Sequence, residues 1–405
     1  MPEISNIIAR KIIDSRGNPT VEVDIKGNNG SFARAAAPSG ASKGTFEVKD
    51  YPSDGIESGI LKFNKESARK LIGISLLDQK GFDSSLHEID KSEDFANLGG
   101  NIAIASSLAF AKASAKSNNL ELYRNLGGDN RKFIMPSPLG NVIGGGKHAI
   151  NGTTMQEFLA LSSANRYIDS AFGNIAVHKK VSELLKEKFP NLPLGLGDEK
   201  AWVAPLNDMQ ALEILSNAIS YCSNEIGISI RPAVDLAASE FFDGNSYNYK
   251  DRSLSSDEQI DFVAQLADKF NIMILEDPLD EGDFEGFAKL TKKIGNKTLI
   301  VGDDLFVTNK KRLENGINRG AANAILIKPN QIGTLTDMIE TVNMAFKHNY
   351  ECVISHRSGE TEDASIAHLA VGLGIKYIKT GTIGGERTAK HNELIRIEEL
   401  INSSK

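Results

Sequence analysis

Three acidic residues in the second half of the chain each follow directly on a short apolar run. Asp235 follows Ile228 to Val234, Glu276 follows Ile272 to Leu275, and Asp303 follows Leu299 to Gly302. If these runs are neighbouring parallel strands, their carboxyl ends share one edge and the three carboxylates converge there. Three like charges repel, and a hard divalent cation relieves that repulsion. An all-oxygen set with no Cys or His nearby in sequence favours Mg²⁺, with Mn²⁺ possible. The alternative for any single acid is that it caps the following helix.

Basic residues continue the same pattern. Lys328 follows the apolar run Ala324 to Ile327, His356 follows Cys352 to Ser355, and Lys379 follows Tyr377-Ile378. Divalent cations nearby would favour the neutral amine of Lys328 and lower its pKa from the usual value of about 10.4. Lys328 is therefore a candidate base for proton abstraction. The alternative is an ion pair at the surface.

Two further side chains suit an anionic ligand. Arg357 is suited to bidentate recognition of phosphate, with the hydroxyl of Ser358 beside it, and Lys379 can neutralise a second acidic group. Together they predict a doubly anionic substrate. Arg357 can equally pair with Glu360 or Glu362, which leaves a structural alternative open.

The elements that must position these residues repeat along the chain. The polar residues that end the runs lie roughly 23 to 41 residues apart, which is enough for one strand, one helix and two loops. This spacing predicts an α/β fold with a C-terminal (β/α)8-type barrel over residues 131–405 and an active site at the strand C-termini. An open, doubly wound sheet is the alternative. It is disfavoured because no GxGxxG follows a strand and the polar residues end many strands.

Residues 1–130 predict a smaller α+β domain. Thr20 to Ile25 alternates in polarity, Gly27 to Gly30 breaks the pattern, and Ser31 to Ala37 resumes it, which is typical of a β-hairpin or meander. Ile102 to Ser117 predicts a helix, and the cluster Gly127 to Asn130 predicts the domain boundary. The small residues of 38–44 suit either a lid that closes over a site or a plain connecting loop.

Composition restricts the class of protein. The 405 residues are 40% hydrophobic and 24% charged, with a formal net charge of -7, and no dense Lys/Arg cluster predicts nucleic-acid binding. The two cysteines, Cys222 and Cys352, lie in unrelated segments, which indicates a reducing compartment. The sequence contains neither a signal peptide nor a membrane-spanning run, so we expect a cytoplasmic protein.

A series of segments, in order, resembles the enolase family over nearly the whole chain. They are DSRGNPTVEV at Asp14 to Val23, PSGASKG at Pro38 to Gly44, MQEF at Met155 to Phe158, GDE at Gly197 to Glu199, DLAASEFF at Asp235 to Phe242, LEDP at Leu275 to Pro278, GDDLFVTN at Gly302 to Asn309, KPNQIGTLT at Lys328 to Thr336, SHRSGETED at Ser355 to Asp363 and IKTG at Ile378 to Gly381. The resemblance implies the reversible dehydration of 2-phosphoglycerate to phosphoenolpyruvate by a magnesium-dependent hydro-lyase of glycolysis and gluconeogenesis. It also implies a homo-oligomer, either a dimer or an octamer.

The resemblance implies a role for each candidate residue. Lys328 corresponds to the base that removes the C2 proton, and Glu199 to the acid that assists loss of the C3 hydroxyl. Two Mg²⁺ ions are expected, the first on Asp235, Glu276 and Asp303 and the second on Ser42 in the lid. The implied substrate contacts are His148, Gln156, Glu157, Glu276, Asp303, Lys328, His356, Arg357, Ser358 and Lys379.

Some positions depart from the family pattern. Lys200-Ala201-Trp202 stands where two glycines usually follow Glu199, so we expect a stiffer loop there, and His368 stands where an aspartate is usual. His87, His178, His348, His368 and His391 are interpreted as structural or exposed side chains. Two other functions stay open: a different metal-dependent lyase or racemase on the same two-domain plan, and a non-catalytic binding protein on this fold.

Overall fold

The structure is a computed structural model that describes residues 1–40, 44–128, 132–149 and 152–403. The N-terminal part contains an antiparallel sheet in the order β1 (Ile4–Ile13), β2 (Pro19–Gly27) and β3 (Phe32–Ala36). Val21, Val23 and Ile25 on β2 are fully buried, as the alternation of this segment requires. The predicted hairpin and its strands are confirmed.

Helices cover one face of this sheet. They are α1 (Ile56–Lys62), α2 (Ala68–Leu71), α3 (Gln79–Asp90), α4 (Gly100–Ser117) and α5 (Leu122–Gly127), with a π-helical turn at Phe63–Ser67. The predicted helix from Ile102 to Ser117 is α4. Nearly all of its side chains are buried, because it packs on β2 and β3 and also contacts α3, α5 and the turn Pro329–Gln331 of the second half of the chain.

The second half of the chain forms a closed barrel of eight strands within the described residues. In barrel order they are β4 (Ser137–Gly144), β5 (Glu157–Ser163), β8 (Ser229–Asp235), β11 (Ile274–Glu276), β12 (Leu299–Gly302), β13 (Ala324–Ile327), β14 (Glu351–Ser355) and β15 (Tyr377–Lys379). Pairing of β15 with β4 closes the sheet, so the open-sheet alternative is wrong.

The barrel departs from a uniform parallel repeat at its second strand. β5 is antiparallel to both β4 and β8. The later barrel strands pair in parallel as predicted, in the order β8, β11, β12, β13, β14 and β15. The antiparallel register places Glu157 opposite Asp235, and the parallel register places Glu276 opposite Asp235 on the other side. Residues at the start of β5 therefore join the C-terminal ends of the parallel strands.

Helices and short hairpins connect and surround the barrel strands. The helices are α6 (Tyr167–Lys188), α7 (Asp208–Ile226), α8 (Ser256–Phe270), α9 (Phe284–Ile294), α10 (Lys310–Arg319), α11 (Leu335–Lys347), α12 (Ser365–Leu373) and α13 (Gly385–Ser403), and the remaining strands are β6 (Gly195–Leu196), β7 (Trp202–Val203), β9 (Tyr247–Asn248) and β10 (Ser253–Leu254). In the described part of the chain, no helix combines the length and apolar character needed to cross a membrane.

The interior of the barrel is a packed apolar core. Leu139, Leu161, Ile274, Val301 and Leu326 are among the buried side chains of this cluster. Because the interior is filled, a ligand has access only at the ends of the strands. Every predicted polar strand end lies at the carboxyl-terminal mouth of this barrel.

Candidate active site

The mouth of the barrel holds the three predicted carboxylates of Asp235, Glu276 and Asp303, all buried. Lys379 joins two of them, because its Nζ donates to Asp235 Oδ2 at 3.0 Å and to Glu276 Oε1 and Oε2 at 2.9 and 2.8 Å. Burial opposes the charge of Lys379, but the surrounding carboxylates outweigh burial and raise the pKa of this amine well above its usual value. The acids are thus charge-compensated in a water-poor setting.

Lys328 lies beside the third carboxylate and hydrogen-bonds to Asp303 Oδ2. Gln331 Nε2 donates to the other oxygen of Asp303 at 3.0 Å. Burial would lower the pKa of Lys328, yet the net effect is an increase, because Asp303 attracts the ammonium. The predicted decrease in the pKa of Lys328 depends on divalent cations nearby, so it stays a prediction. The nearest charge is an anion, and the sequence could not show that proximity.

The carboxylates fit a hard divalent cation by their chemistry. Asp235, Glu276 and Asp303 are buried oxygen donors, and oxygen donors are the ligands that Mg²⁺ and Mn²⁺ prefer. Within the described residues, Asp277, Asp303 and Asp304 also offer ligand atoms that lie within 4.8 Å of one another. The Asp277 carboxylate accepts hydrogen bonds from the backbone N–H groups of Asp303 and Asp304 at 2.9 and 2.7 Å, so it orients the segment that directly follows β12.

Glu199 also lines the mouth, from the hairpin between β6 and β7. Asn141 Nδ2 donates to Glu199 Oε2 at 3.1 Å, and His356 Nε2 lies 3.5 Å from the same oxygen. The following residue, Lys200, has a φ of 62°, in the left-handed region that few non-glycine residues adopt. A tight turn thus carries Glu199.

The unusual residues after Glu199 are held by α6. His178 Nε2 donates to the carbonyl oxygen of Lys200 at 2.8 Å, and Trp202 Nε1 donates to the carbonyl oxygen of His178 at 3.0 Å. The rings of His178 and Trp202 also lie 5.4 Å apart. His178 thus contacts both residues of this loop, and nothing in the amino-acid sequence singled it out.

Gln156 and Glu157 extend the site from the start of β5. Gln156 Nε2 donates to Asp235 Oδ2 at 3.3 Å. Glu157 Oε2 lies 3.2 Å from Lys379 Nζ. Burial, followed by the charge of Glu199, raises the pKa of Glu157 to about 8.

Arg357 makes a buried bidentate ion pair that the sequence did not predict. Its Nη1 and Nη2 each donate to one oxygen of Glu47 at 3.0 Å, and Nη1 also donates to Asn330 Oδ1 at 3.0 Å. Glu47 in turn accepts the backbone N–H of Gly44 at 3.1 Å. The partner of the Arg357 guanidinium is therefore not Glu360 or Glu362. Glu360 instead accepts the backbone N–H of Arg357 at 3.1 Å.

The structure brings most of the predicted residues around one cavity. Its walls include Gln156, Glu157, Glu199, Asp235, Asp303, Lys328, His356, Arg357, Ser358 and Lys379. Glu276 is not among these lining residues, but its carboxylate contacts Lys379, which is. Ser42 lies outside the described residues, as does the centre of the predicted lid at 41–43. The backbone of His148 lies in the turn Gly146–His148, but its side chain is also outside the described part.

Other polar residues support the site and were missed from the sequence. Asn141 is a fully buried polar residue in the apolar strand β4, which is a signal that sequence inspection could have used. Asp277 directly follows the predicted ligand Glu276. Glu47 and Arg387 carry no such signal, because only the folded chain brings them beside residues 356–358.

Comparisons with known proteins agree with this geometry. The family described as "Enolase, N-terminal domain" matches residues 4–126, and "Enolase, C-terminal TIM barrel domain" matches residues 132–405. Enolase of Methanothermobacter thermautotrophicus is 50% identical, covering 99% of this chain and 98% of the relative. Enolase of Picrophilus torridus is 49% identical over 98% of both chains, and that of Natronomonas pharaonis 48% identical over 98% of this chain and 99% of the relative. The two family domains match in order and together cover nearly the whole chain. The chain therefore belongs to the enolase family.

Proposed function

We propose that this protein catalyses the reversible dehydration of 2-phosphoglycerate to phosphoenolpyruvate as a magnesium-dependent hydro-lyase. The observation that carries the proposal is one cavity lined by two lysines, Glu199, and Arg357 with Ser358. A small phosphorylated acid needs cations for its two anionic groups, a base for the proton and an acid for the departing hydroxyl. The cavity supplies each of these groups.

The proton at C2 of the substrate is weakly acidic, since its removal adds negative charge to a carboxylate. Lys328 is assigned as the base, and it must first lose the proton that its contact with Asp303 favours. Lys379 is placed to stabilise the added charge more strongly in the transition state than in the ground state. Mg²⁺ on Asp235, Glu276 and Asp303, with a second ion on Ser42, would supply Lewis-acid stabilisation of the same charge.

Glu199 is assigned as the acid that assists departure of the C3 hydroxyl as water. Asn141 donates to one of its carboxylate oxygens, and His356 lies beside the same oxygen. The raised pKa of the neighbouring Glu157 favours its protonated form, which limits repulsion between the two carboxyl groups. Arg357 and Ser358 are assigned to the phosphate, with His148, Gln156 and Glu157 as further substrate contacts.

The broader organisation follows from family membership. We assign residues 1–130 to the N-terminal domain that carries the lid at 38–44 and residues 131–405 to the barrel. The protein is further proposed to act in the cytoplasm, in glycolysis and gluconeogenesis, as a homo-oligomer of two or eight subunits. Light scattering of the purified protein would establish the number of subunits.

The test of the catalytic assignment is Lys328→Ala. Turnover of 2-phosphoglycerate should fall by several orders of magnitude, whereas calorimetric titration should still detect binding of Mg²⁺, because the carboxylates remain. Lys310→Ala is the matched control, since Lys310 is exposed and pairs only at the surface with Glu340 among the described contacts. Near-normal turnover by Lys328→Ala would show that the base is misassigned.

A further inference from the structure

Arg387, on the first turn of α13, is a fully buried arginine that the proposed mechanism does not use. Its guanidinium lies against the segment that contains the proposed phosphate ligands. Nη1 donates to the carbonyl oxygen of Arg357 at 2.7 Å, and Nη2 donates to that of Ser358 at 2.9 Å. Nη1 also lies 2.9 Å from Nδ1 of His356.

The contact with His356 fixes the position of the imidazole proton. A guanidinium has only donors, so Nδ1 of His356 must be the acceptor. The ring is then neutral and carries its hydrogen on Nε2. The charged groups that face this ring are Arg387, Glu199 and Glu360. Burial and the charge of Arg387 lower the pKa of His356 to about 4, although both glutamates act in the opposite direction.

The protonated nitrogen lies near the proposed acid, although it makes no hydrogen bond of good geometry within the described residues. His356 Nε2 lies 3.5 Å from Glu199 Oε2, at the outer limit of a hydrogen bond. Asn141 Nδ2 donates to the same oxygen at 3.1 Å. A ring with its hydrogen on Nδ1 would instead present a lone pair to the carboxylate and repel it. The tautomer of His356 therefore decides whether the ring holds Glu199 or pushes it away.

We propose that Arg387 is a positioning residue, which holds His356 as the Nε2–H tautomer so that the ring orients Glu199 for the dehydration step. Its effect on turnover rests on the proposed function, whereas the tautomer does not. Arg387 does not itself line the cavity and has no described contact with Glu199, so its route to Glu199 is through His356, which lines the cavity.

The first test is NMR of the unmodified protein with ¹³C,¹⁵N-labelled histidine. His356→Gln identifies the His356 signals among the seven histidines. We expect the Nε2–H tautomer and no protonation between about pH 5.5 and 8. In Arg387→Met the ring should populate both tautomers or titrate in that range, and Arg387→Gln, which keeps an N–H donor, should restore the original signals in part. Arg396→Met, at an exposed arginine of the same helix, is the control and should change nothing.

A His356 signal of the Nδ1–H tautomer, or one that titrates near pH 6.5 in the unmodified protein, would overturn the proposal. This test needs no substrate and no substitution of Arg387, so it holds even if Arg387→Met does not fold or if the protein dehydrates another acid.

A double-mutant cycle then tests the link to turnover. Arg387→Met should lower kcat about tenfold or more with a smaller change in KM, but less than twofold when His356 is already Gln. An equal fall in both backgrounds would mean that Arg387 acts only through the carbonyl groups of Arg357 and Ser358, and would refute the positioning role.

Discussion

Protonation of His391 should set part of the acid sensitivity of the fold. This histidine is buried on α13, where Nδ1 accepts the hydroxyl of Tyr167 at 2.7 Å and Nε2 donates to the carbonyl oxygen of Gly381 at 3.1 Å. Acceptance at Nδ1 requires the neutral ring, whereas the Gly381 carbonyl can accept from either form of the ring. Burial lowers the pKa of His391 from 6.5 to about 4, against a smaller opposing effect of the Gly381 carbonyl.

The direction of the pH dependence of stability follows from which state of the chain, folded or unfolded, binds the proton more readily. Between about pH 6.5 and 4 the unfolded chain protonates His391 and the folded chain does not, so the free energy of unfolding falls as the pH falls through this window. A difference between 6.5 and about 4 corresponds to about 3 kcal/mol in full, of which about 2 kcal/mol is lost by pH 5. Above pH 7 the contribution of this residue no longer depends on pH.

The assay is urea unfolding of the unmodified protein and His391→Gln at pH 7.5 and pH 5. The glutamine keeps a donor and an acceptor but does not titrate, so its loss of stability between the two pH values should be smaller by about 2 kcal/mol. His348→Gln, at an exposed histidine directly after α11, should behave as the unmodified protein. If His391→Gln loses as much stability as the unmodified protein, a buried neutral His391 is refuted.

Two further predictions concern residues on either side of segment 41–43: the backbone pairing of Ser39 with Gly359, and the ion pair of Glu47 with Arg357. In Gly359→Ala, a Cβ would lie 2.5 Å from Ser39 Oγ and 2.9 Å from its carbonyl oxygen, which should disrupt the backbone pairing of these residues and lower turnover roughly 10- to 100-fold. Gly195→Ala, where no atom lies within 4 Å, should leave turnover unchanged. Glu47→Gln leaves the buried charge of Arg357 without its counter-ion and should lower the free energy of unfolding by about 3–5 kcal/mol, measured with urea at pH 7.

The control for Glu47→Gln is Glu340→Gln, which removes the exposed pair with Lys310 and should cost less than about 1 kcal/mol. Equal losses in the two variants would contradict the view that the bidentate pair is buried and shielded from water. Full activity of Gly359→Ala would contradict the role assigned to the pairing of Ser39 with Gly359.

Hydrophobic pattern was sufficient to predict most of the barrel. The run Leu299–Gly302 became β12 and Ala324–Ile327 became β13 without a change of bounds, because strands buried on both faces must be continuously apolar. The same property hid the direction of β5, Glu157–Ser163, since an apolar run is the same whichever way the strand points. Only pairing with β4 and β8 shows that it is antiparallel.

Site residues that directly end a strand could be predicted from the sequence. Site residues contributed by distant segments of the chain could not. Asp235 and Lys379 could be placed at the barrel mouth because each ends an apolar run. Glu47 and Arg387 reach the site from a distant part of the chain, so local sequence carries no sign of their contacts with residues 356–358. The close contact of Lys328 with Asp303 was not predictable either, because it depends on a distance between two side chains.

The central claim is that this cavity dehydrates 2-phosphoglycerate with the help of a divalent cation. The most direct measurement follows the enol absorbance of phosphoenolpyruvate after 2-phosphoglycerate is added to chelator-treated protein, before and after Mg²⁺ is restored. We expect turnover only when Mg²⁺ is present. Formation of phosphoenolpyruvate without a divalent cation, or no formation with Mg²⁺ present, would contradict the proposed function.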